Sequence, residues 1–154
     1  MRPSKTNYYL DIAETISERS TCLNKHYGAI IVKNDEIIAT GYNGAPRGLT
    51  SCLDTGKCNR ECSERGRDYS ECTSVHAEMN AIISASRKDM IGADLYIVGI
   101  DVDKRYVENP APCSLCKRLI INSGIKNIYV RLSTDGYDTF PVEYWKLDDI
   151  IGGY

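Results

Sequence analysis

Apolar positions recur at helical spacing near the start of the chain, where Tyr9, Ile12, Ala13 and Ile16 fall on one face of an amphipathic helix expected over Asn7 to Arg19. The period then changes. Gly28 to Lys33 and Glu36 to Tyr42 are short β-branched runs divided by Asn34-Asp35, a pattern that predicts a hairpin of two central strands. Asn43-Gly44-Ala45-Pro46 ends the second strand. From Arg47 to Ser74 the apolar content collapses while Cys, Arg, Glu and Gly dominate, leaving too little apolar surface to order so long a loop by packing. A metal clip would supply that order.

The pattern turns helical again over His76 to Lys88, with Ala77, Ala81 and Ala85 as a narrow strip suited to close packing and Met79, Ile82 and Ile83 adding bulk. Ser74 is a candidate cap for this helix. Leu95 to Ile100 reads as a buried strand, followed by a polar excursion to Pro112 and a helix from Cys113 to Asn122 stopped by Gly124. Ile128 to Leu132 is a further strand. Strand, helix and strand joined by short links predict a right-handed parallel crossover, hence an α/β fold with a mixed sheet covered by helices. The segment from Thr139 to Tyr154 carries the only tryptophan, Trp145, and fits an edge strand, a short helix or part of a subunit contact.

Composition narrows the class. With 154 residues, 42% hydrophobic and 26% charged, the chain reads as a single globular domain over residues 1–154, with 47–74 as a cysteine-rich loop insertion. Residues 1–20 hold no continuous apolar run, so neither a signal peptide nor a membrane span is expected and the default location is cytoplasmic. The net charge of −2 argues against a polyanionic nucleic-acid partner and favours a small substrate. Seven cysteines form an odd set, which points to metal ligation or free thiols rather than a disulfide framework.

Chemistry concentrates in two short motifs. His76-Ala-Glu78 and Pro112-Cys113-Ser-Leu-Cys116 together offer three metal donors and one carboxylate. A catalytic zinc takes three protein ligands and leaves a fourth position for water, so the donor count fits. Cys113 and Cys116 are three apart, neighbours on one helix face. His76 and Glu78 are two apart, roughly 200° around a helix, which argues against their being equivalent ligands. Glu78 is therefore read as the proton carrier. Two thiolates cancel the charge of Zn²⁺ and would acidify a bound water less than an all-histidine site does, an effect that helix N-termini at both motifs would offset. A lone Cys-x-x-Cys would equally suit a thioredoxin-like redox pair, a reading against which the His-x-Glu counts.

His-x-Glu followed by Pro-Cys-x-x-Cys is the established signature of zinc-dependent nucleobase deaminases. With Ser20-Thr-Cys, Tyr27-Gly-Ala-Ile-Ile-Val, Gly41-Tyr-Asn-Gly-Ala-Pro and His76-Ala-Glu-Met-Asn-Ala-Ile, the chain resembles the deoxycytidylate deaminases of the cytidine deaminase superfamily from about Tyr8 to Val130. The resemblance implies a three-layer fold with a five-stranded mixed sheet between helices, commonly in homo-oligomers. It also implies the reaction: hydroxide from an activated water attacks C4 of cytosine in dCMP, and Glu78 hands protons to N3 and then to the departing ammonia, leaving dUMP.

Further assignments rest on the same resemblance. The asparagine matching Asn43 touches the nucleotide near its sugar in relatives, although Asn-Gly is also a common turn pair. The backbone amides near Ala77 and Cys113 are candidate polarising donors. Arg19, Lys25 and Arg47 are candidates for the phosphate, with Lys25 preferred, each weighed against an ordinary solvated charge. Some relatives carry a second, structural zinc with ligands matching Cys22 and Cys52, which implies a closed site of Cys22, Cys52, Cys58 and Cys72, with Cys62 as the spare or as a substitute for Cys22. Effectors of the dCTP and dTTP type are expected, with no motif to place them.

Two other readings stay open. One keeps the chemistry but changes the base carrier to free cytidine, cytosine, a modified pyrimidine nucleotide or adenosine in transfer RNA. The other is a zinc-stabilised binding or assembly protein without turnover. Glu78 counts against the latter, because a structural site needs ligands and no such carboxylate.

Overall fold

The computed structural model describes residues 1–58 and 72–147. Among them, helix α1 (Lys5–Ser17) is followed by strands β1 (Lys25–Lys33) and β2 (Glu36–Tyr42) and the short helix α2 (Cys52–Thr55). Helices α3 (Ala77–Ile83) and α4 (Arg87–Met90) lead to strand β3 (Asp94–Asp101). Helix α5 (Ser114–Ser123), strands β4 (Asn127–Arg131) and β5 (Tyr137–Pro141) and helix α6 (Val142–Leu147) complete the order.

The five strands form one sheet in the order β2-β1-β3-β4-β5, with β3 and β4 parallel and the other pairs antiparallel. The expected mixed α/β sheet is therefore present. One expectation is corrected: β1 is interior, pairing with β3 along Lys25 to Val32, whereas β2 is an edge strand, since among the described residues β1 is the one strand it pairs with. The turn itself is as the sequence indicates. Asn34 and Asp35 both take positive φ, 52° and 62°, the conformation a tight two-residue hairpin demands.

Alternation along the strands sorts side chains into two cores. Ala29, Ile31, Leu95, Ile97, Ile128 and Val130 meet α3, α5 and α6 on one face. Ile30, Val32, Tyr96 and Val98 meet Tyr9, Leu10 and Ala13 of α1 on the other. A period of two on buried strands dictates this division and yields three layers. Glycine sets the closeness of the helices: a Cβ on Gly28 would overlap the Ala13 carbonyl oxygen and lie 2.7 Å from the Ser17 nitrogen.

Several elements differ from the sequence reading. α1 begins at Lys5, because the Ser4 hydroxyl accepts from the Asn7 N–H at 3.2 Å and caps it there. The helix expected over His76 to Lys88 stops at Ile83. Ser86 caps a new turn by accepting from Asp89 N–H, so the chain bends between α3 and α4. Ile83 consequently lies 70% exposed instead of adding core bulk, while Met79 and Ile82 do pack inward. Ser74 caps nothing, since His76 occupies the N-cap position. Gly124 ends α5 in the left-handed conformation, φ 86°, as expected.

Among its described residues the Cys-rich stretch holds one turn of helix, α2, ordered by a Ser51–Asp54 capping box, with none of its residues buried. The excursion after β3 folds back on it: Tyr106 bridges Ile100 and the Val107 N–H donates to Gly99 O at 2.9 Å. This covers the part of β3 that β4, whose pairing ends at Val130, leaves open. The final tail resolves into edge strand β5 and helix α6, which buries Trp145.

Candidate active site

Two of the proposed ligands stand at helix N-caps. His76 precedes α3 with φ −70° and ψ 155°, and Cys113 precedes α5 with φ −69° and ψ 172°. Neither side chain caps its own helix, so both point to the space between the two helix starts. Cys116 follows in the first turn of α5 and is fully buried. Because His76 is extended, the angular argument that separated it from Glu78 is replaced by a simpler one: His76 lies outside the helix that carries Glu78.

The donor atoms converge. His76 Nδ1 lies 3.3 Å from Cys116 Sγ and 3.4 Å from Cys113 Sγ, and the three donors sit within 4.8 Å of one another. A tetrahedral zinc with ordinary Zn–N and Zn–S bonds needs N···S separations of about 3.6 Å. The spacing thus fits a zinc ion with little adjustment, and one imidazole with two thiols is a donor set zinc favours. Among the described residues this is the one such group close enough to hold a metal.

Electrostatics agree with metal binding. The Cys116 thiol and, after it, the His76 ring hold Cys113 down at about 4 against the opposing effect of burial, and the start of α5 favours the same thiolate. Cys116 is pushed upward by its hydrogen bond with Cys113 and by burial. Glu78 is buried, and burial raises its carboxyl above the usual carboxylate range while a hydrogen bond with Cys116 opposes the rise. A buried carboxyl thus lies against the three converging donors.

The remaining candidates are placed less uniformly. Asn43 is buried, and its carboxamide staples the strand edges: Oδ1 accepts from Tyr27 N–H at 2.8 Å and Nδ2 donates to Lys25 O at 2.9 Å. Asn43 thus binds β1 from the end of β2 and lies in no turn, its neighbour Gly44 pairing with Val75 instead. Ala77 opens α3 and is buried. Lys25 lines a cavity of about 480 Å³ with Asp101, Arg105, Tyr106, Val107, Glu108 and Asn109. Arg19 and Arg47 are exposed, and no hydrogen bond described here joins either side chain to the metal donors.

In the cysteine-rich region, Cys52 feels the thiols of Cys58, Cys22 and Cys72, although burial is the larger cause of its raised pKa. The other three therefore each lie in the neighbourhood of Cys52, without the four being drawn as tightly together as the His76 group. Cys62 lies outside the described residues. Thr21 and Gly41 stand within quoted motifs without an assigned role and Val75 lies outside them, yet all three make contacts beside the start of α3 or the segment that leads to it.

Residues 3–132 match the model of the cytidine and deoxycytidylate deaminase zinc-binding region. The chain is 37% identical over 134 residues to the deoxycytidylate deaminase of Mycobacterium phage D29, an alignment covering 82% of the chain and 94% of that protein. It is 34% identical over 134 residues to the deoxycytidylate deaminase of Schizosaccharomyces pombe, covering 86% of the chain but 38% of that longer protein. Among solved structures it is similar to a dCMP deaminase from the cyanophage S-TIM5 in complex with dCMP and dUMP, with TM-score 0.58, 29% identity and coverage of 85% and 83% of the two chains. No helix among the described residues is long and apolar enough to cross a membrane.

Proposed function

The chain belongs to the cytidine and deoxycytidylate deaminase zinc-binding family, and from that premise we propose that it hydrolyses dCMP to dUMP and ammonia. The observation that carries this reading is the approach of His76 Nδ1 to both thiols, with the Glu78 carboxyl buried against Cys116. His76, Cys113 and Cys116 would hold zinc, which when bound supplies Lewis acidity that makes a water acidic near neutral pH.

Glu78 then performs the proton transfers. It takes one proton from the attacking water as the C4–O bond forms and passes it to N3 of cytosine, then carries the remaining proton from the new C4 hydroxyl to the amino group as the C4–N bond breaks, the C4 carbonyl forms and ammonia leaves. A carboxyl whose pKa is raised by burial suits a group that must both accept and release a proton. Asn43 keeps one amide hydrogen beyond its bond to Lys25 and would offer it to the sugar. Lys25, with Arg19 as the second candidate, would neutralise the 5′-phosphate, and the Ala77 amide would polarise the base.

The same reading extends to a single domain over residues 1–154, a homo-oligomer, a cytoplasmic location, dCTP and dTTP as effectors, and a structural zinc on Cys22, Cys52, Cys58 and Cys72. Ammonia release from dCMP, deoxycytidine, CMP and dCTP tests the core of it. dCMP should be the preferred substrate. Equal turnover of deoxycytidine would sink the phosphate reading, and zinc-loaded protein inert on all four would favour an assembly role instead.

A further inference from the structure

The backbone that delivers His76 to the metal site is tied down by a residue far from it in sequence. Thr21, between α1 and β1, makes three bonds: its N–H donates to Asn43 O at 3.2 Å, its carbonyl accepts from Leu53 N–H at 3.3 Å, and its Oγ1 accepts from Ala45 N–H at 3.1 Å. The bonds to Asn43 and Ala45 fix the strap 43–45 that follows β2, and the bond to Leu53 ties Thr21 to α2. At the middle of the strap, Gly44 and Val75 exchange two backbone bonds, Val75 N–H to Gly44 O at 2.7 Å and Gly44 N–H to Val75 O at 3.1 Å. Val75 is the residue before His76. A Cβ on Gly44 would overlap Thr21 Oγ1, so the strap and the threonine are in direct contact as well as hydrogen-bonded.

The histidine needs this support. It stands before the first turn of α3 in an extended conformation and makes no capping bond, so the helix alone does not set the direction of its ring. Nδ1 must nonetheless stay within a few tenths of an ångström of its place between the two thiols for a tetrahedral ion to form. We propose that Thr21 is a positioning residue for the metal ligand His76, acting through the hydroxyl-to-strap bond and the Gly44–Val75 pair. The inference rests on the reading of His76, Cys113 and Cys116 as a metal site. It places part of the support of that site in a loop that contributes no ligand to it.

Replacing the hydroxyl by a methyl separates this role from simple space filling. Thr21→Val keeps the shape and loses the acceptor, whereas Thr21→Ser keeps the acceptor. The probe is cobalt(II) bound in place of zinc, read as the absorption that Cys113→Ala removes, and followed as a chelator strips the ion. Thr21→Val should lose metal about 10-fold faster than wild type, in line with the loss of other ligand-orienting hydrogen bonds. Thr21→Ser should stay within about twofold of wild type, because its hydroxyl retains the bond. With dCMP as substrate, kcat of the valine variant should fall while KM changes little.

Metal release from Thr21→Val at the wild-type rate would overturn the proposal, as would a Thr21→Ser protein as impaired as the valine variant. Should Thr21→Val not unfold cooperatively, Gly44→Ala, whose methyl pushes on Oγ1 from the strap side, takes its place under the same criterion. The cobalt readout needs no turnover. A wild-type protein that binds cobalt at Cys113 yet leaves dCMP untouched therefore removes the substrate reading and not this one.

Discussion

Gly41 of β2 and Ala77 at the start of α3 meet backbone to backbone: a Cβ on Gly41 would overlap the Ala77 carbonyl oxygen and lie 2.5 Å from the Ala81 nitrogen. The turn of helix that carries Glu78 is thus seated directly on the sheet edge. Gly41→Ala should lift α3 and destabilise the fold by about 1–3 kcal/mol, the usual range for overpacking a closed contact. Urea denaturation measures this. A Gly41→Ala protein as stable as wild type, with unchanged metal retention, would mean that α3 can shift without consequence.

Glu78→Gln preserves the volume of the buried side chain and removes its capacity to shuttle protons. Turnover should drop by about 10² to 10⁴, the span typical of general acid–base groups. Zinc content should be unchanged, because Glu78 is not among the three converging donors. Steady-state ammonia release together with elemental analysis checks both halves; retained activity would remove Glu78 from the chemistry.

Arg131 of β4 is buried on the α1 face, its Nη1 2.8 Å from both Asp11 and Glu14. Its Nη2 donates to Asn7 at 3.2 Å, and Tyr106 adds a hydroxyl bond to Glu14. Arg131→Met should cost about 3 kcal/mol, the low end for breaking a buried ion pair, because both carboxylates retain access to water. Adding Glu14→Gln should recover part of that loss. Thermal unfolding of the single and double variants at low ionic strength reads the difference.

Tyr9 provides an alkaline signature. Burial, followed by a hydrogen bond to Asp35, pushes its phenol up from 10.0 to about 12. The unfolded chain therefore ionises first as pH rises, and the stability contributed by the neutral phenol is fully present below 10.0 and lost as pH climbs through about 12. Tyr9→Phe should lose less stability than wild type between those limits, as read from denaturant midpoints across the window. Parallel pH curves for the two proteins would refute the assignment.

The cysteines near α2 predict a metal count. Fully reduced protein should carry two zinc ions per chain, one on the His76 group and one on the set containing Cys52. Cys52→Ser should reduce the count to one and leave the first ion in place. A wild-type count of one would eliminate the structural site.

Periodicity made much of the architecture legible. The apolar, β-branched runs at Gly28 to Val32 and Leu95 to Val98, the Asn34-Asp35 turn and the Gly124 stop all act within a few residues, where side-chain sterics and backbone preference decide the outcome. The four residues at the centre of the candidate site were legible for a related reason. His76 with Glu78, and Cys113 with Cys116, announce their chemistry by residue type and spacing.

The arrangement of those motifs in space was decided only by tertiary structure. Which strand of the β1–β2 hairpin lies inside the sheet was decided by β3, which pairs with β1 from across some seventy residues and leaves β2 at the edge. Arg131 gains its partners across 117 and 120 residues, and Thr21 reaches His76 through a strap that follows a different strand. Local pattern carries no record of such meetings, because their free energy comes from burial and hydrogen bonds that exist only once the chain has closed on itself.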